Sequence, residues 1–296
     1  MKCNASFFGL RELPKISFDK ATLEELARES SNLGLTVPGV QKKLSLHLSS
    51  DGPSRLTLVG YPAGYILKPQ TEDFDQLPEA EDAVMDIAEM MGVRTVPHGL
   101  IEVDGENAYI TKRIDRLDGE IYAMEDFCQL SGRLTQDKYK GSYERCAKLI
   151  SEHSMLPGFD RSEFFLRLLV CFVTGNSDMH LKNFSLIERA PGSREFVLSA
   201  AYDLLPVNVI MLEDTEETAL TLNGRKRRLS REDFLALAEN IGLPAKSAEK
   251  MISSVTKKEE DAVRICRQSE MNSVLQDELE RIIRERCGRL RTGNRT

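Results

Sequence analysis

An acid, an imidazole, an amine and an amide stand close together in GNSDMHLKNFSL, residues 175–186, as Asp178, His180, Lys182 and Asn183. The apolar run FFLRLLVCFVTG precedes them and FSLIE follows, which places them at the mouth of a core and not on a tail. From Asp178 the spacing is D-x-x-x-x-N, ending at Asn183. Phosphoryl transfer needs a base near the attacking oxygen and a Mg2+ ligand beside the phosphates, both on one rigid loop. The spacing alone arises by chance in many chains, but its sequel is more specific. FSLIE and EFVLSA read as short strands around the turn RAPGSR, and YDLLP then presents Asp203. Mg2+ prefers one or two carboxylates plus phosphate oxygens, and Asn183 with Asp203 would supply that protein share.

These groups need elements to hold them, and the chain changes character midway. KLSLHL, RLTLV and YILKP alternate with period two and read as three strands, the third ending at Pro69, which cannot continue a ladder. LPEAEDAVMDIAEMMG reads as a helix, with Pro78 in its first turn, acids at its start and Gly92 at its end. GLIEV and AYITKR flank the turn DGEN as a hairpin. After about residue 116 the 3.6-residue period takes over, in MEDFCQLSG, SYERCAKLISEH, SEFFLRLLVCFVTG and the tail. The expected fold is therefore α+β and two-lobed like a protein kinase. A small β-rich lobe over 1–115 precedes a larger helical lobe over 116–296, with TKRIDRLDGE as the hinge.

In that frame Lys68 sits on the third strand, where a kinase puts the lysine that contacts nucleotide phosphates, and Glu81 or Glu79 is available to hold it. A solvated edge charge is the plainer reading of a strand lysine taken alone. TVPGVQKKLSL has one glycine and no GxGxxG, yet backbone N–H groups around Gly39, Val40 and Gln41 would form an anion nest, with Lys43 adding charge. An ordinary loop before a strand explains the same residues. The acids Glu125 and Asp126 of MEDFCQLSG either order the catalytic loop or meet substrate, or else they cap a helix.

The formal net charge of −7 over 296 residues argues against a large sequence-independent contact with nucleic acid. GRKRRLSR and RERCGRLRTGNR are cationic, and both read most simply as solvated surface or tail. Six scattered cysteines without a CxxC pair and the lack of an N-terminal apolar segment point to a reducing, cytoplasmic setting. No stretch has the length of a membrane-spanning helix.

The chain resembles the HipA-type serine/threonine kinases of bacterial toxin–antitoxin systems. The matching stretches run through VPGVQKKLSL, YILKP, EAEDAVMDIAEMMGV, TKRIDR, MEDFCQLSG, GNSDMHLKNFSL, AAYDLLPV and TALTLNGRKRRLSREDFLALAENIGL. The resemblance implies Asp178 as catalytic base, Asn183 and Asp203 as Mg2+ ligands and Lys68 on the ATP phosphates. It places His180 and Lys182 in the nucleotide-binding stretch, with Lys182 on the γ-phosphate. Backbone around Lys112, Arg113 and Ile114 would face adenine, and Gly39, Val40, Gln41 and Lys43 would belong to a mobile phosphate loop. Such kinases phosphorylate an aminoacyl-tRNA synthetase, are restrained by a cognate DNA-binding antitoxin, and silence themselves by autophosphorylation in the phosphate loop. Thr36 stands there where relatives usually carry serine, and Pro38 replaces a second serine. The phosphate loop comes early, which resembles the shorter HipT type, in which a small separate protein replaces an N-terminal subdomain. By that analogy the substrate is a tryptophanyl- or glutamyl-type synthetase. A small-molecule phosphotransferase and a non-catalytic pseudokinase are the competing readings.

Overall fold

The computed structural model describes residues 5–16, 18, 19, 43–49, 54–60, 63–117 and 119–292. Thr36, Gly39, Val40 and Gln41 lie outside the described residues. The described chain divides into two units, Met1–Asp82 with Val96–Ile121, and Ala83–Thr95 with Tyr122–Thr296.

The first unit is built on strands β1 (Lys15–Ile16), β2 (Leu44–Ser49), β3 (Arg55–Val59), β4 (Tyr65–Lys68), β5 (His98–Val103) and β6 (Glu106–Lys112), ordered β1-β3-β2-β4-β6-β5. All pairings are antiparallel except β1 with β3. Alternation decides the faces. Leu44, Leu46, Leu56, Tyr65, Leu67, Ala108 and Ile110 turn one way into a core shared with Phe8 and Val103. Lys68 and its cross-strand partner Tyr109 turn the other way. Asp104 and Gly105, at φ +50° and +82°, make the tight turn between β5 and β6 that the DG pair announces. Helix α1 (Leu77–Met91) follows β4 and buries Ala80, Val84, Ile87, Ala88 and Met91 at helical spacing. Gly92 ends it at φ +101°. Two further short strands, β7 (Arg116–Leu117) and β8 (Glu120–Ile121), pair within TKRIDRLDGE and beyond.

In the second unit the helix expected over MEDFCQLSG is confined to its middle, and its first three residues form a strand. β9 (Met124–Asp126) pairs antiparallel with β10 (Ser185–Glu188), which pairs in turn with β11 (Phe196–Leu198). Only Phe127–Leu130 forms helical turn α2. A nine-residue pattern is too short to fix its period, and the edge of β10 supplies backbone partners that a helix would forgo. The rest is helical: α3 (Tyr143–His153), α4 (Pro157–Val173), α5 (Val207–Ile210), α6 (Arg231–Asn240), α7 (Ala245–Lys257), α8 (Glu259–Gln268) and α9 (Ser273–Thr292). From Phe164 to Val173 nearly every side chain of α4 is buried, as an apolar run without a polar face requires. Phe164 and Tyr143 close on Phe184 with ring centroids 5.0 and 6.2 Å away, and Phe127 stacks on Phe184 at 5.6 Å. Among the described residues no helix is long and apolar enough to cross a membrane.

Candidate active site

Helix α4 delivers the chain to the site. Thr174 closes it, Gly175 turns at φ +78°, and the Asn176 N–H returns to the Cys171 carbonyl at 2.8 Å. Asp178 follows in a loop held by its own backbone. The Asp178 N–H donates to Asn176 Oδ1 at 3.1 Å, while its carbonyl accepts from the His180 N–H at 2.8 Å and from Asn183 Nδ2 at 3.0 Å. The Asp178 carboxylate is 43% exposed, so a hydroxyl can reach it. Its Oδ1 accepts from the Tyr139 hydroxyl at 2.7 Å, and its Oδ2 lies 4.0 Å from His180 Nε2. The His180 ring meets the Tyr139 ring edge-on at 5.1 Å. Beneath, the buried Tyr143 hydroxyl donates to the Met179 carbonyl at 3.1 Å.

Asn183 ends a one-turn 3-10 helix, Leu181–Asn183, and is buried. Its amide nitrogen is committed to the Asp178 carbonyl, which fixes the flip and leaves Oδ1 as the atom to present to a cation. Asp203 sits at φ +61°, a left-handed conformation that costs a non-glycine residue about 1 kcal/mol or more and concentrates at functional sites. The segment carrying it is tied to the loop by its neighbour: the Tyr202 hydroxyl donates to the Lys182 carbonyl at 3.1 Å and shares a 2.5 Å hydrogen bond with Ser185 Oγ. An amide oxygen and a carboxylate are the hard donors that Mg2+ takes, so this pair fits the ion. The Lys182 ammonium bonds Asp126 Oδ2 at 2.7 Å. Asp126 also accepts from the Gln129 N–H at 2.9 Å, so the acid of MEDFCQLSG both caps α2 and ties the loop that carries Lys182.

In the first unit Lys68 ends β4 and is almost fully buried. Its ammonium is 2.5 Å from Glu81 Oε1 and 5.2 Å above the Tyr109 ring. Of the two expected partners the structure selects Glu81; Glu79 accepts instead from Asn107 Nδ2 at 2.8 Å. Lys68 is thus no solvated edge charge. Lys112 ends β6 opposite Tyr65 and lies 5.5 Å over Phe7, while Arg113 grips Asp115 with two bonds of 2.7 and 3.0 Å. The Lys112 and Arg113 N–H groups donate to Pro97 and Gly64 carbonyls. Ile114 is half-buried, and Lys43 is exposed just ahead of β2.

The family model of the HipA-like C-terminal domain matches residues 35–263. The chain belongs to this HipA-like family. Candidate kinase Y4dM of Sinorhizobium fredii is 33% identical over 231 residues, 72% of this chain and 55% of Y4dM. A candidate kinase of Haemophilus influenzae is 30% identical over 269 residues, 80% of this chain and 76% of that protein. The HipA-like chain therefore spans about half the length of the first of these relatives. Among solved structures it is similar to the Shewanella oneidensis toxin–antitoxin complex of HipA, HipB and operator DNA, with TM-score 0.73, 18% identity, and 86% and 64% of the two chains covered. It is also similar to the Helicobacter pylori proinflammatory kinase CtkA, with TM-score 0.58, 16% identity, and 83% and 93% covered. At these identities the likeness shows a shared kinase-like α+β fold.

Below the loop, the chain carries a polar support that sequence reading missed. Ser177 Oγ donates to Asp214 Oδ2 at 2.6 Å, and the Asn208 N–H donates to the Gly175 carbonyl at 2.9 Å. Arg286 from α9 reaches Asn208 Oδ1 at 2.6 Å and the Phe172 carbonyl at 2.7 Å. Burial pushes the Arg286 guanidinium down to about 10, with Glu217 working against the shift. Arg289 grips Glu217 at 2.7 and 3.1 Å, and only 4% of it is exposed. The cationic tail is therefore no solvated surface at these two positions. The signal was present: Arg286 falls on the same helical face as Leu279, Ile283, Cys287 and Leu290. Tyr139 carried no comparable signal. Arg225, Arg227 and Arg228 of GRKRR are exposed, as expected.

Gly175 couples this support to the loop. A Cβ there would meet Ile282 Cγ2 at 3.4 Å and Asn208 Cβ at 3.6 Å, in a backbone conformation that L side chains avoid. Gly175→Ala is expected to cost about 1–3 kcal/mol in urea denaturation. A variant as stable as the parent would show that the loop relaxes without strain.

Proposed function

We propose that this HipA-like chain is an ATP- and Mg2+-dependent serine/threonine protein kinase and the toxin of a toxin–antitoxin system. The observation that carries the reading is the second unit's loop. One turn of chain holds the Asp178 carboxylate half-exposed and commits the Asn183 amide nitrogen to the Asp178 carbonyl, which leaves the amide oxygen to take a cation. Asp178 takes the acceptor's hydroxyl proton, and Asn183 and Asp203 would hold Mg2+. Bound there, the ion would neutralise charge on the phosphates. Lys68, oriented by Glu81, serves the nucleotide phosphates from the first unit, and backbone around Lys112, Arg113 and Ile114 serves adenine. Lys182 has to leave Asp126 before it can reach a phosphate. The Shewanella relative is found with HipB, which supports a HipB-like antitoxin as partner, with a small separate N-subdomain-like protein as a second partner if the chain is of HipT type. The substrate proposed from the family resemblance is an aminoacyl-tRNA synthetase, and Thr36 is the proposed autophosphorylation site. Catalysis would come from positioning and charge neutralisation.

The test is transfer of label from γ-32P-ATP with Mg2+ to a panel of purified synthetases, with Asp203→Ala beside the parent. Label on one synthetase, and its loss with Asp203→Ala together with weaker MgATP binding by calorimetry, is the expected result. Label confined to small acceptors would make the protein a small-molecule phosphotransferase. ATP binding without transfer to any acceptor or to the chain itself would make it a pseudokinase.

A further inference from the structure

Tyr139 belongs to the loop between α2 and α3, far from Asp178 in sequence, yet its hydroxyl is 2.7 Å from Asp178 Oδ1. The contact is built from both sides. The Lys138 carbonyl accepts from the Leu181 N–H at 3.1 Å, which fastens the Tyr139 segment to the 3-10 helix of the catalytic loop. The Tyr139 ring abuts His180 edge-on, which limits where the hydroxyl can point. Burial and the Asp178 charge push the Tyr139 hydroxyl well above its ordinary range, so it stays protonated and can only donate to the carboxylate. A hydrogen bond to an ionised acceptor is short and directional, and a carboxylate fixed at one oxygen loses rotation about its terminal torsion.

We propose that Tyr139 is a positioning residue for phosphoryl transfer, its hydroxyl holding the Asp178 carboxylate turned toward the acceptor. The proposal rests on the kinase reading and deepens it. In the step it serves, the acceptor oxygen bonds to the γ-phosphorus, the bond to the β,γ-bridging oxygen breaks and ADP leaves. The acceptor's hydroxyl proton passes to Asp178, while Tyr139 keeps its own. The effect of Tyr139 runs through its hydrogen bond to Asp178 Oδ1.

The experiment measures ADP release from MgATP, with the purified synthetase panel present as acceptors, by the full chain as parent, Tyr139→Phe, Asp178→Asn and the double variant, with ATP affinity from calorimetry. Phenylalanine keeps the ring on His180 and removes only the hydrogen bond. In Tyr139→Phe, kcat should fall about 10- to 100-fold with KM and Kd for ATP unchanged, the signature of lost orientation. In the Asp178→Asn background the same change should cost nothing more, because the residue it positions is already gone. A Tyr139→Phe protein as fast as the parent, or faster, overturns the proposal, the second result making Tyr139 a plug. An equal loss with and without Asp178 overturns it too. If Tyr139→Phe is normal and Tyr139→Ala is slow, the ring matters and the hydrogen bond does not. A parent that releases no ADP, or matches Asp178→Asn, sinks the kinase reading itself, and that comparison involves no Tyr139 variant.

Discussion

The Asp178→Ala protein is expected to fold as the parent does and to lose about 10²- to 10⁴-fold in phosphoryl transfer, the range over which a positioned general base contributes. The two halves of that expectation have separate causes. The carboxylate is 43% exposed, so its removal opens no core cavity. The loop keeps its shape because its hydrogen bonds from Asn183 and His180 end on the Asp178 backbone carbonyl, which alanine retains. Single-turnover transfer and a thermal melt, measured on the same preparation, check both. Full activity with an unchanged melt would remove Asp178 from the chemistry. Lost activity with a lower melting temperature would instead assign the carboxylate a structural part.

Glu81→Ala is expected to act in the opposite way, costing about 3–5 kcal/mol of stability by removing the carboxylate that a buried ammonium bonds. Glu81 is fully buried, Lys68 is 3% exposed, and the two meet at 2.5 Å. The double change Lys68→Met with Glu81→Leu should restore most of the loss, since apolar residues of similar size replace such a pair at little cost. It would remove the lysine proposed to serve the phosphates, so a stable but inactive chain is the expected product. Urea denaturation of the single and double variants gives the comparison. If Glu81→Ala stays within about 1 kcal/mol of the parent, the pair behaves as a solvated one, and Lys68 is not held in a fixed place.

Much of the fold was legible because local rules and burial agree. Leu44, Leu46, Leu56, Tyr65 and Leu67 alternate as a one-sided sheet demands, and helix α1 starts at Leu77 with Pro78 in its first turn. MEDFCQLSG misled only in its first three residues, because a short apolar pattern fits either period and a neighbouring strand edge decided the outcome up to Asp126. Glu79 and Glu81 were equivalent in sequence. Which one meets Lys68 depends on the angle at which the helix leaves β4, and Glu81 is the one that faces the lysine.

The sequence by itself determined the types and order of the reactive groups: Asp178 and Asn183 between a helix and a hairpin, and Asp203 after the hairpin, elements whose periods are local properties of the chain. Tertiary structure alone decided how those groups are held. Tyr139 on Asp178, Asp126 on Lys182 and Arg286 on Asn208 join residues 39, 56 and 78 positions apart. Such contacts leave no periodic trace, because a hydrogen bond between distant residues depends on where packing of the apolar faces happens to bring the backbone. Periodicity reports which side of an element is buried; it does not report which polar groups meet once burial is complete.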